Sequence, residues 1–312
     1  MNPSLHYSGL TLDRADYKRR DEAGLSTLWA RDDTQVYPLH QLRNLVNIQF
    51  GSAVHGSIAQ LREFGLLHEE GSFLGMDGST AVFAVECDDT QAAAWCDLVP
   101  GSEFTDLRKV GFSLPGDQAS LLGYTRGLLH WQSQNPFCGV CGSSNRLSSG
   151  GHMMRCSSAT CEKQLFPRTD PAVIMLVERC TDKGERVCLL GRSPAWPKEV
   201  YSTLAGFVET GESLEEAVAR EVLEEASISV TDVRYMCSQP WPFPQSIMLG
   251  FIATATSDVI EIDPAELAEA HWFSDKQIAE FGNWGDESRG PKLPRPDSIA
   301  RYLIDSWMKS LA

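Results

Sequence analysis

The stretch that decides the fold is residues 206–228, which read GFVETGESLEEAVAREVLEEASI. Apolar residues recur at helical spacing after Ser213, so a helix is predicted over residues 213–226. Ser213 suits the N-cap and Glu216 lies three residues on, so each side chain can bond the other's backbone N–H in a capping box. The segment therefore predicts a glycine-containing loop that leads into a capped helix.

The predicted helix carries three carboxylates close together. At about 100° per residue, Glu221, Glu224 and Glu225 fall within an arc of roughly 100° on one face. Like charges at this spacing repel, and the last turns of a helix favour cations rather than anions. A bound divalent cation would relieve both conflicts, and all-oxygen ligation favours Mg²⁺ or Mn²⁺ shared with substrate phosphates.

The alternative is an acidic helix face exposed to water, which is the usual meaning of a Glu-rich helix. Against it, the same arc contains apolar residues that should face protein: Leu214, Val218 and Val222. The glutamates expected to face water lie elsewhere: Glu212, Glu215 and Glu216. A metal site is the favoured interpretation.

The sequence around this helix predicts a mixed α/β domain. Residues 172–177 and 187–190 are apolar runs separated by a turn-like Asp-Lys-Gly, the pattern of a β-hairpin. Strands are also predicted at residues 247–254 and 271–273, and a final helix at residues 298–311.

The first 130 residues predict a smaller, β-rich domain whose chemistry is not legible. Residues 81–85 are typical of a strand, and residues 119–132 have helical spacing. We therefore expect an N-terminal domain over 1–130, a cysteine-rich segment over 131–168 and a third domain over 169–312.

Four cysteines form two pairs in the middle segment: Cys138, Cys141, Cys156 and Cys161. Four thiolates in two closely spaced pairs suit a tetrahedral structural Zn²⁺ site. A segment this poor in large apolar residues needs a bound metal ion to stabilise its fold. The alternative is four unrelated free thiols, which the paired spacing disfavours. His152 lies among them, but four sulfurs already complete a tetrahedron, so we expect it to be a bystander.

Composition limits the remaining possibilities. A composition of 42% hydrophobic and 22% charged residues is typical of a globular protein, and a length of 312 residues suggests two folded units. A net charge of −15 disfavours a generally cationic nucleic-acid binder. Nine cysteines, five of them scattered, suit a reducing compartment better than a disulfide framework. Residues 1–10 lack the pattern of a signal peptide, and no long apolar stretch predicts a membrane span, so a cytoplasmic protein is expected.

Residues 206–228 resemble the Nudix box: Gly, five residues, Glu, seven residues, then Arg-Glu-apolar-x-Glu-Glu-x-Gly-apolar. They match at every named position except Ser227, where the family has Gly. That glycine commonly ends the helix with φ > 0, a conformation that costs a non-glycine residue roughly 1 kcal/mol. The resemblance implies an α/β/α sandwich for the third domain.

Residues 238–246, SQPWPFPQS, resemble the signature that separates NADH pyrophosphatases from other Nudix enzymes. Without the family, such a proline-rich run is a stiff loop, an edge strand, a linker or a ligand for a proline-binding domain. The four-cysteine element also resembles that family's zinc ribbon, although Ser157–Thr160 makes the second cysteine gap two residues longer. The resemblance covers roughly residues 130–312.

The resemblance implies an activity and the residues that carry it. Divalent ions, Mg²⁺ or Mn²⁺, would be held by Glu221, Glu224, Glu225 and Glu266. Glu212 and Arg220 would form a supporting pair that ties the loop to the helix. The implied reaction is hydrolysis of the diphosphate of NADH or NAD to AMP and NMN(H).

Substrate contacts are implied at a further set of positions: Phe166, Phe207, Gln239, Trp241 and Ala300. In the family the aromatic residue at the position of Phe166 reaches in from a partner chain, which implies a homodimer. Phe replaces the more usual Tyr there, keeping the ring face but losing the hydroxyl.

Two other functions remain open. Removal of NAD caps from RNA 5′ ends would use the same chemistry in a more open pocket. A non-catalytic zinc-ribbon and Nudix interaction protein is the second alternative, which the intact Arg220, Glu221, Glu224 and Glu225 disfavour.

Overall fold

A computed structural model describes residues 5–65, 71–287 and 289–311. The prediction that residues 1–10 lack a signal-peptide pattern falls partly on residues 1–4, which lie outside the described residues. The chain divides into two compact units. The N-terminal unit comprises residues 6–169 and 241–245, and the C-terminal unit comprises residues 1–5, 170–240 and 246–312. Within the described residues, no helix has both the length and the apolar character needed to cross a membrane.

A mixed sheet with helices forms most of the N-terminal unit. Its strands pair in the order β3-β2-β1-β6-β5, with β4 on β1 and β7 on β2, and β1 runs parallel to β6. The strands are β1 (Gln35–His40), β2 (Arg43–Asn47), β3 (Ser52–Ala53), β4 (Gly56–Ser57), β5 (Ser72–Asp77), β6 (Thr80–Glu86) and β7 (Ser102–Thr105). The helices are α1 (Glu22–Trp29), α2 (Ile58–Glu63), α3 (Asp89–Leu98), α4 (Leu107–Val110) and α5 (Gly116–Gln134). Short 3₁₀ turns occur at Asp16–Lys18, Gly111–Ser113 and Ser149–Gly151.

Side chains alternate between the two faces of β6, and each face packs into a separate apolar core. Phe83 and its alternate neighbours pack with α1, α2 and α3, whereas Val82 and Ala84 pack with α5 on the opposite face. The strand and the helix predicted at residues 81–85 and 119–132 are both confirmed, as parts of β6 and α5.

The cysteine-rich segment forms a small antiparallel sheet in the N-terminal unit. Its strands are β8 (Asn145–Ser148), β9 (Met153–Cys156) and β10 (Gln164–Leu165), paired in the order β10-β9-β8. Met154 and Leu165 lie opposite each other in the register and pack into the same core as α5. The β9 and β10 part of this face is therefore packed against the core, whereas Leu147 on β8, opposite Met154, is 51% exposed.

The C-terminal unit is built on a second mixed sheet, in the order β14-β15-β11-β12-β16 with β13 on β11. β11 and β12 form the predicted antiparallel hairpin, and β11 runs parallel to β15. The elements are β11 (Asp170–Cys180), β12 (Arg186–Arg192), β13 (Leu204–Phe207), α6 (Leu214–Ala226), β14 (Val230–Trp241), β15 (Ser246–Ala255), β16 (Glu269–Ser274), α7 (Asp275–Ala279), β17 (Gly282–Asn283), β18 (Lys292–Leu293) and α8 (Ile299–Lys309).

Alternation along β11 makes this unit a sandwich. Val173, Met175 and Val177 pack against α6, while Ile174 and Leu176 pack with α8 on the other face. Both faces are apolar, as expected of a strand buried between two helical layers. The predicted α/β/α sandwich and the mixed α/β class are confirmed.

Helix α6 begins and ends as its sequence indicates. The Glu216 N–H donates to Ser213 Oγ at 3.3 Å, and the Ser213 N–H donates to Glu216 Oε2 at 2.7 Å. Ser227 follows the helix with φ 56° and ψ 25°, the left-handed conformation that favours glycine. Ser227 therefore adopts the left-handed conformation that the family's glycine usually takes at the end of this helix, at a cost of about 1 kcal/mol.

Candidate active site and metal centres

The carboxylates of Glu221, Glu225 and Glu266 converge on one point of the C-terminal unit, with oxygens within 4.8 Å of one another. Glu221 and Glu225 come from consecutive turns of α6 and are 8% and 5% exposed. Glu266 is exposed and arrives from the connection between β15 and β16. Two buried acids and one exposed acid thus face a shared space that a cation could fill.

Gly206 makes room for the first of these acids. A Cβ atom added to Gly206 would lie 1.8 Å from Cδ of Glu221, so the carboxylate rests directly on the bare backbone of β13. The glycine is needed for this close approach. Sequence inspection identified Gly206 only as part of the loop, because nothing local shows which side chain it faces.

Electrostatics at this point favour a cation. Burial, with added repulsion from Glu221 and Glu266, raises the pKa of Glu225 to about 8. Burial also raises the pKa of Glu221, although Arg220 opposes this shift. Three carboxylates that repel one another, two of them with pKa values raised by burial, fit a hard divalent ion, whose charge would offset both effects.

Arg220 ties the loop before α6 to the helix. Its guanidinium donates to both oxygens of Glu212, at 2.6 and 3.1 Å, and to the Phe207 carbonyl at 2.9 Å. It also donates to Glu221 at 2.9 Å and to Glu224 at 3.0 Å. The expected pairing of Glu212 with Arg220 is present, and Glu212 is therefore not one of the water-facing glutamates.

Glu224 lies apart from the converging acids. Its side chain is 57% exposed and accepts the hydrogen bond from Arg220, whereas the close group contains Glu266 in its place. The three glutamates do lie on one helix, as predicted. Helical spacing alone does not show which of their side chains point into the protein.

The sulfurs of Cys138, Cys141, Cys156 and Cys161 lie within 4.8 Å of one another in the N-terminal unit. The separations are 3.8 Å for Cys138 to Cys161 and 3.4 Å for Cys141 to Cys156. Four sulfurs about 2.3 Å from a tetrahedral Zn²⁺ would be roughly 3.8 Å apart, so the cluster fits that ion. The longer gap at Ser157–Thr160 does not prevent the convergence.

Backbone amides support this cluster. The Val140 N–H donates to Cys138 Sγ at 3.5 Å, and the Ser158 N–H donates to Cys156 Sγ at 3.4 Å, contacts that stabilise thiolates. His152 is turned away, as expected: its Nε2 lies 2.8 Å from the Phe73 carbonyl and 3.1 Å from the Tyr124 hydroxyl.

The residues proposed to contact substrate fall into two groups. Phe207 and Phe166 are 61% and 62% exposed, which leaves their rings free to stack. Gln239 and Ala300 are 0% and 4% exposed. The Gln239 amide donates to the Asp297 carbonyl at 2.7 Å and accepts from the Ile299 N–H at 2.8 Å, so it holds the start of α8.

Trp241 begins the proline-rich turn, which belongs to the N-terminal unit. Its ring lies edge-on to Tyr7 and to Phe243, with centroids 6.2 and 5.1 Å apart. Arg126 donates to the Pro242 carbonyl, and its guanidinium lies 5.0 Å from the Phe243 ring centroid. The run is therefore the tight connection between β14 and β15, and its aromatic residues are packed.

Comparison with known proteins defines the class. The NUDIX domain family matches residues 168–291, and the family described as NADH pyrophosphatase-like rudimentary NUDIX domain matches residues 33–131. The N-terminal unit thus carries a Nudix-like domain that sequence inspection missed, because no carboxylate helix marks it. A Nudix hydrolase crystal structure from Nitrosomonas europaea shares 20% identity with a TM-score of 0.39, over 51% of this chain and 97% of that one.

Relatives of known sequence narrow the class further. A protein named NAD-capped RNA hydrolase NudC from Mycobacterium bovis is 36% identical over 306 residues, 95% of this chain and 92% of its own length. One of the same name from Stutzerimonas stutzeri is 39% identical over 246 residues, 79% of each chain. The chain belongs to the NADH pyrophosphatase family of Nudix hydrolases.

Proposed function

We propose that this protein hydrolyses the diphosphate of NADH and NAD, releasing AMP and NMN(H). Water adds to one phosphorus, the bond from that phosphorus to the bridging oxygen breaks, and two mononucleotides leave. The observation that carries the proposal is the buried pair Glu221 and Glu225, facing Glu266 across a space suited to a cation.

Glu221, Glu225 and Glu266 would hold Mg²⁺ or Mn²⁺. The exposed Glu224, on the same helix, is a further proposed ligand. Such ions bridge phosphate oxygens, offset charge developing on the leaving phosphate and activate water. Arg220 keeps Glu221 and Glu224 in place through hydrogen bonds of 2.9 and 3.0 Å.

Aromatic residues supply specificity for a flat heteroaromatic ring. Phe207 directly follows Gly206, so an exposed ring begins one residue from the support of Glu221. Phe166 offers a second exposed ring, and we propose that it acts in the partner chain of a homodimer. Trp241, Gln239 and Ala300 are also proposed substrate contacts, and Gln239 fixes the start of α8 by accepting from the Ile299 N–H.

The four-cysteine cluster holds one structural Zn²⁺ in this proposal. Its four sulfurs leave no ligand position for a water or substrate, so the ion stabilises the ribbon and takes no part in catalysis. The paucity of large buried apolar residues in this segment supports the assignment.

Removal of NAD caps from RNA is the second candidate. It is favoured by the names of the relatives, and it breaks the same bond in a substrate whose adenosine continues into RNA. A non-catalytic role is disfavoured, because Arg220 and the acids around it form a complete hydrogen-bonded network.

The test is incubation of the purified protein with NADH, NAD, ADP-ribose and NAD-capped RNA in Mg²⁺ or Mn²⁺, with separation of the products. AMP and NMN(H) from NADH or NAD are expected, and a 5′-monophosphorylated RNA from the capped substrate would add the second activity. Absence of cleavage of every substrate at saturating metal would refute an enzymatic function.

A further inference from the structure

A cavity of about 260 Å³ lies within the N-terminal unit, on the face of the sheet that packs against α5. Tyr37 on β1 lines this cavity, and its side chain is only 7% exposed. Asp77, at the end of β5, and Asp117, in the first turn of α5, line it as well. Apolar side chains complete the walls: Leu10, Leu12, Val82 and Leu121. The proposed function uses none of these residues.

The Tyr37 hydroxyl has an unused capacity for hydrogen bonding. It makes no hydrogen bond with any described residue, although buried polar groups normally have a partner. Burial and the charges of Asp77 and Asp117 raise the pKa of Tyr37 to about 12, so the hydroxyl keeps its proton at neutral pH. A deeply placed donor and acceptor therefore waits for a partner beside two carboxylates.

The charged groups of this cavity favour a cation. Neither Asp77 nor Asp117 forms an ion pair within the described part of the chain, and no lysine or arginine from that part lines the cavity. His55 also lines it, and partial burial lowers the pKa of His55, so the imidazole is neutral at pH 7. Two carboxylates without a counter-charge attract cations and repel phosphates.

The arrangement suits an organic cation rather than a metal ion. Among the described residues, Asp77, Asp117 and His55 are not part of any group whose ligand atoms converge within 4.8 Å. Leu12 and Leu121 instead offer apolar surface in the same cavity. Carboxylates from two different elements, a phenol and apolar walls fit a short aliphatic chain that carries ammonium groups.

We propose that this cavity binds an aliphatic diamine or polyamine. One ammonium group donates to the Tyr37 hydroxyl oxygen and pairs with Asp77 or Asp117, and a second ammonium group pairs with the other carboxylate. The methylene groups between them pack on the leucine side chains. This inference goes beyond the proposed function and does not depend on it, because diphosphate hydrolysis is assigned to other residues.

The test is isothermal titration of the full-length protein, as purified, with putrescine and with spermidine. Saturable binding of one amine per chain is expected. A chain of net charge −15 attracts any cation weakly, so a matched control is needed. Asp77→Asn/Asp117→Asn should weaken binding about tenfold or more, because it removes both charge-assisted contacts. Asp97→Asn/Asp182→Asn removes two exposed charges outside the cavity and should leave the affinity unchanged.

Tyr37→Phe separates ligand binding from folding. It should weaken amine binding several-fold, yet leave the thermal midpoint of the amine-free protein unchanged or raised, because the hydroxyl has no hydrogen bond to lose. A lowered midpoint with wild-type affinity would overturn the proposal. So would equal losses in the two aspartate double variants, equal binding of neutral butanediol, equal displacement by Mg²⁺, or no saturable binding at millimolar amine. NADH hydrolysis by the unaltered protein tests the proposed function separately.

Discussion

The carboxylate of Glu221 rests on Gly206, so closely that a Cβ at Gly206 would lie 1.8 Å from Glu221 Cδ and 1.9 Å from its Oε1. The atoms that must move are the far end of a flexible side chain rather than backbone. A methyl group at this position should therefore displace the carboxylate with little loss of overall stability.

Gly206→Ala is thus expected to lower turnover of NADH by at least tenfold, because the metal ligand is moved by more than the tolerance of such a site. The thermal midpoint should change little. Steady-state kinetics over a Mn²⁺ titration measures the effect. Gly116→Ala is the control, since nothing lies within 4 Å of a Cβ there; wild-type kinetics for Gly206→Ala would contradict the arrangement.

The glutamates of α6 should differ in importance. Glu225→Gln removes a carboxylate that would bind the ion and is expected to reduce turnover by orders of magnitude while leaving the fold intact. Glu224→Gln should reduce it less, because Glu224 lies outside that group. Turnover at saturating Mg²⁺ is the measurement, with the exposed Glu215→Gln as control. Equal losses for Glu224 and Glu225 would show that the arrangement changes when metal binds.

The ribbon should contain one zinc per chain. Elemental analysis of protein purified without added metal is expected to give one equivalent, and Cys138→Ser/Cys141→Ser should lose it and unfold at a lower temperature. Cys180→Ser, which replaces an exposed free thiol, should change neither property. Zinc retained by the double variant, or absent from the unaltered protein, would disprove the site.

His152 should make the fold sensitive to mild acid. Burial lowers the pKa of His152 to about 4, helped by the charges of Arg19 and Arg14. The unfolded chain, with a pKa near 6.5, then binds the proton first, so stability falls as pH drops from about 6.5 towards 4. Between pH 7 and 5 the loss should be about 1–2 kcal/mol.

Urea unfolding of the unaltered protein and of His152→Gln at both pH values isolates this effect. The variant should be less stable at pH 7, where it loses the contact with the Phe73 carbonyl. The difference in free energy of unfolding between the two proteins should narrow at pH 5. A gap independent of pH would mean that His152 titrates normally.

The exposed phenylalanines should set specificity. Loss of one stacking face costs on the order of 1 kcal/mol, so Phe207→Ala should lower kcat/KM for NADH about fivefold relative to that for ADP-ribose, which lacks nicotinamide. Phe50→Ala, another exposed ring, serves as control. If the ratio is unchanged in both Phe207→Ala and Phe166→Ala, nicotinamide is held elsewhere.

Local signals accounted for much of this molecule. The capping box at Ser213 and Glu216, the helical arc of acids and the paired cysteines all act over a few residues, so their geometry follows from helix periodicity or knuckle spacing. The hairpin at the start of the C-terminal unit was predictable for the same reason. The N-terminal Nudix-like domain was not, because its sheet pairs β1 with the distant β6 and no catalytic motif marks it.

What the sequence determined alone was the chemistry available: carboxylates on one helix, four thiols in two pairs, and an aromatic residue close to each of these segments in the chain. What only the tertiary structure decided was which groups meet. Glu266 lies with Glu221 and Glu225 in the close group whereas Glu224 lies outside it, and Gln239 is buried against the start of α8. Such choices depend on strand register and packing between segments far apart in the chain, which short-range periodicity does not encode.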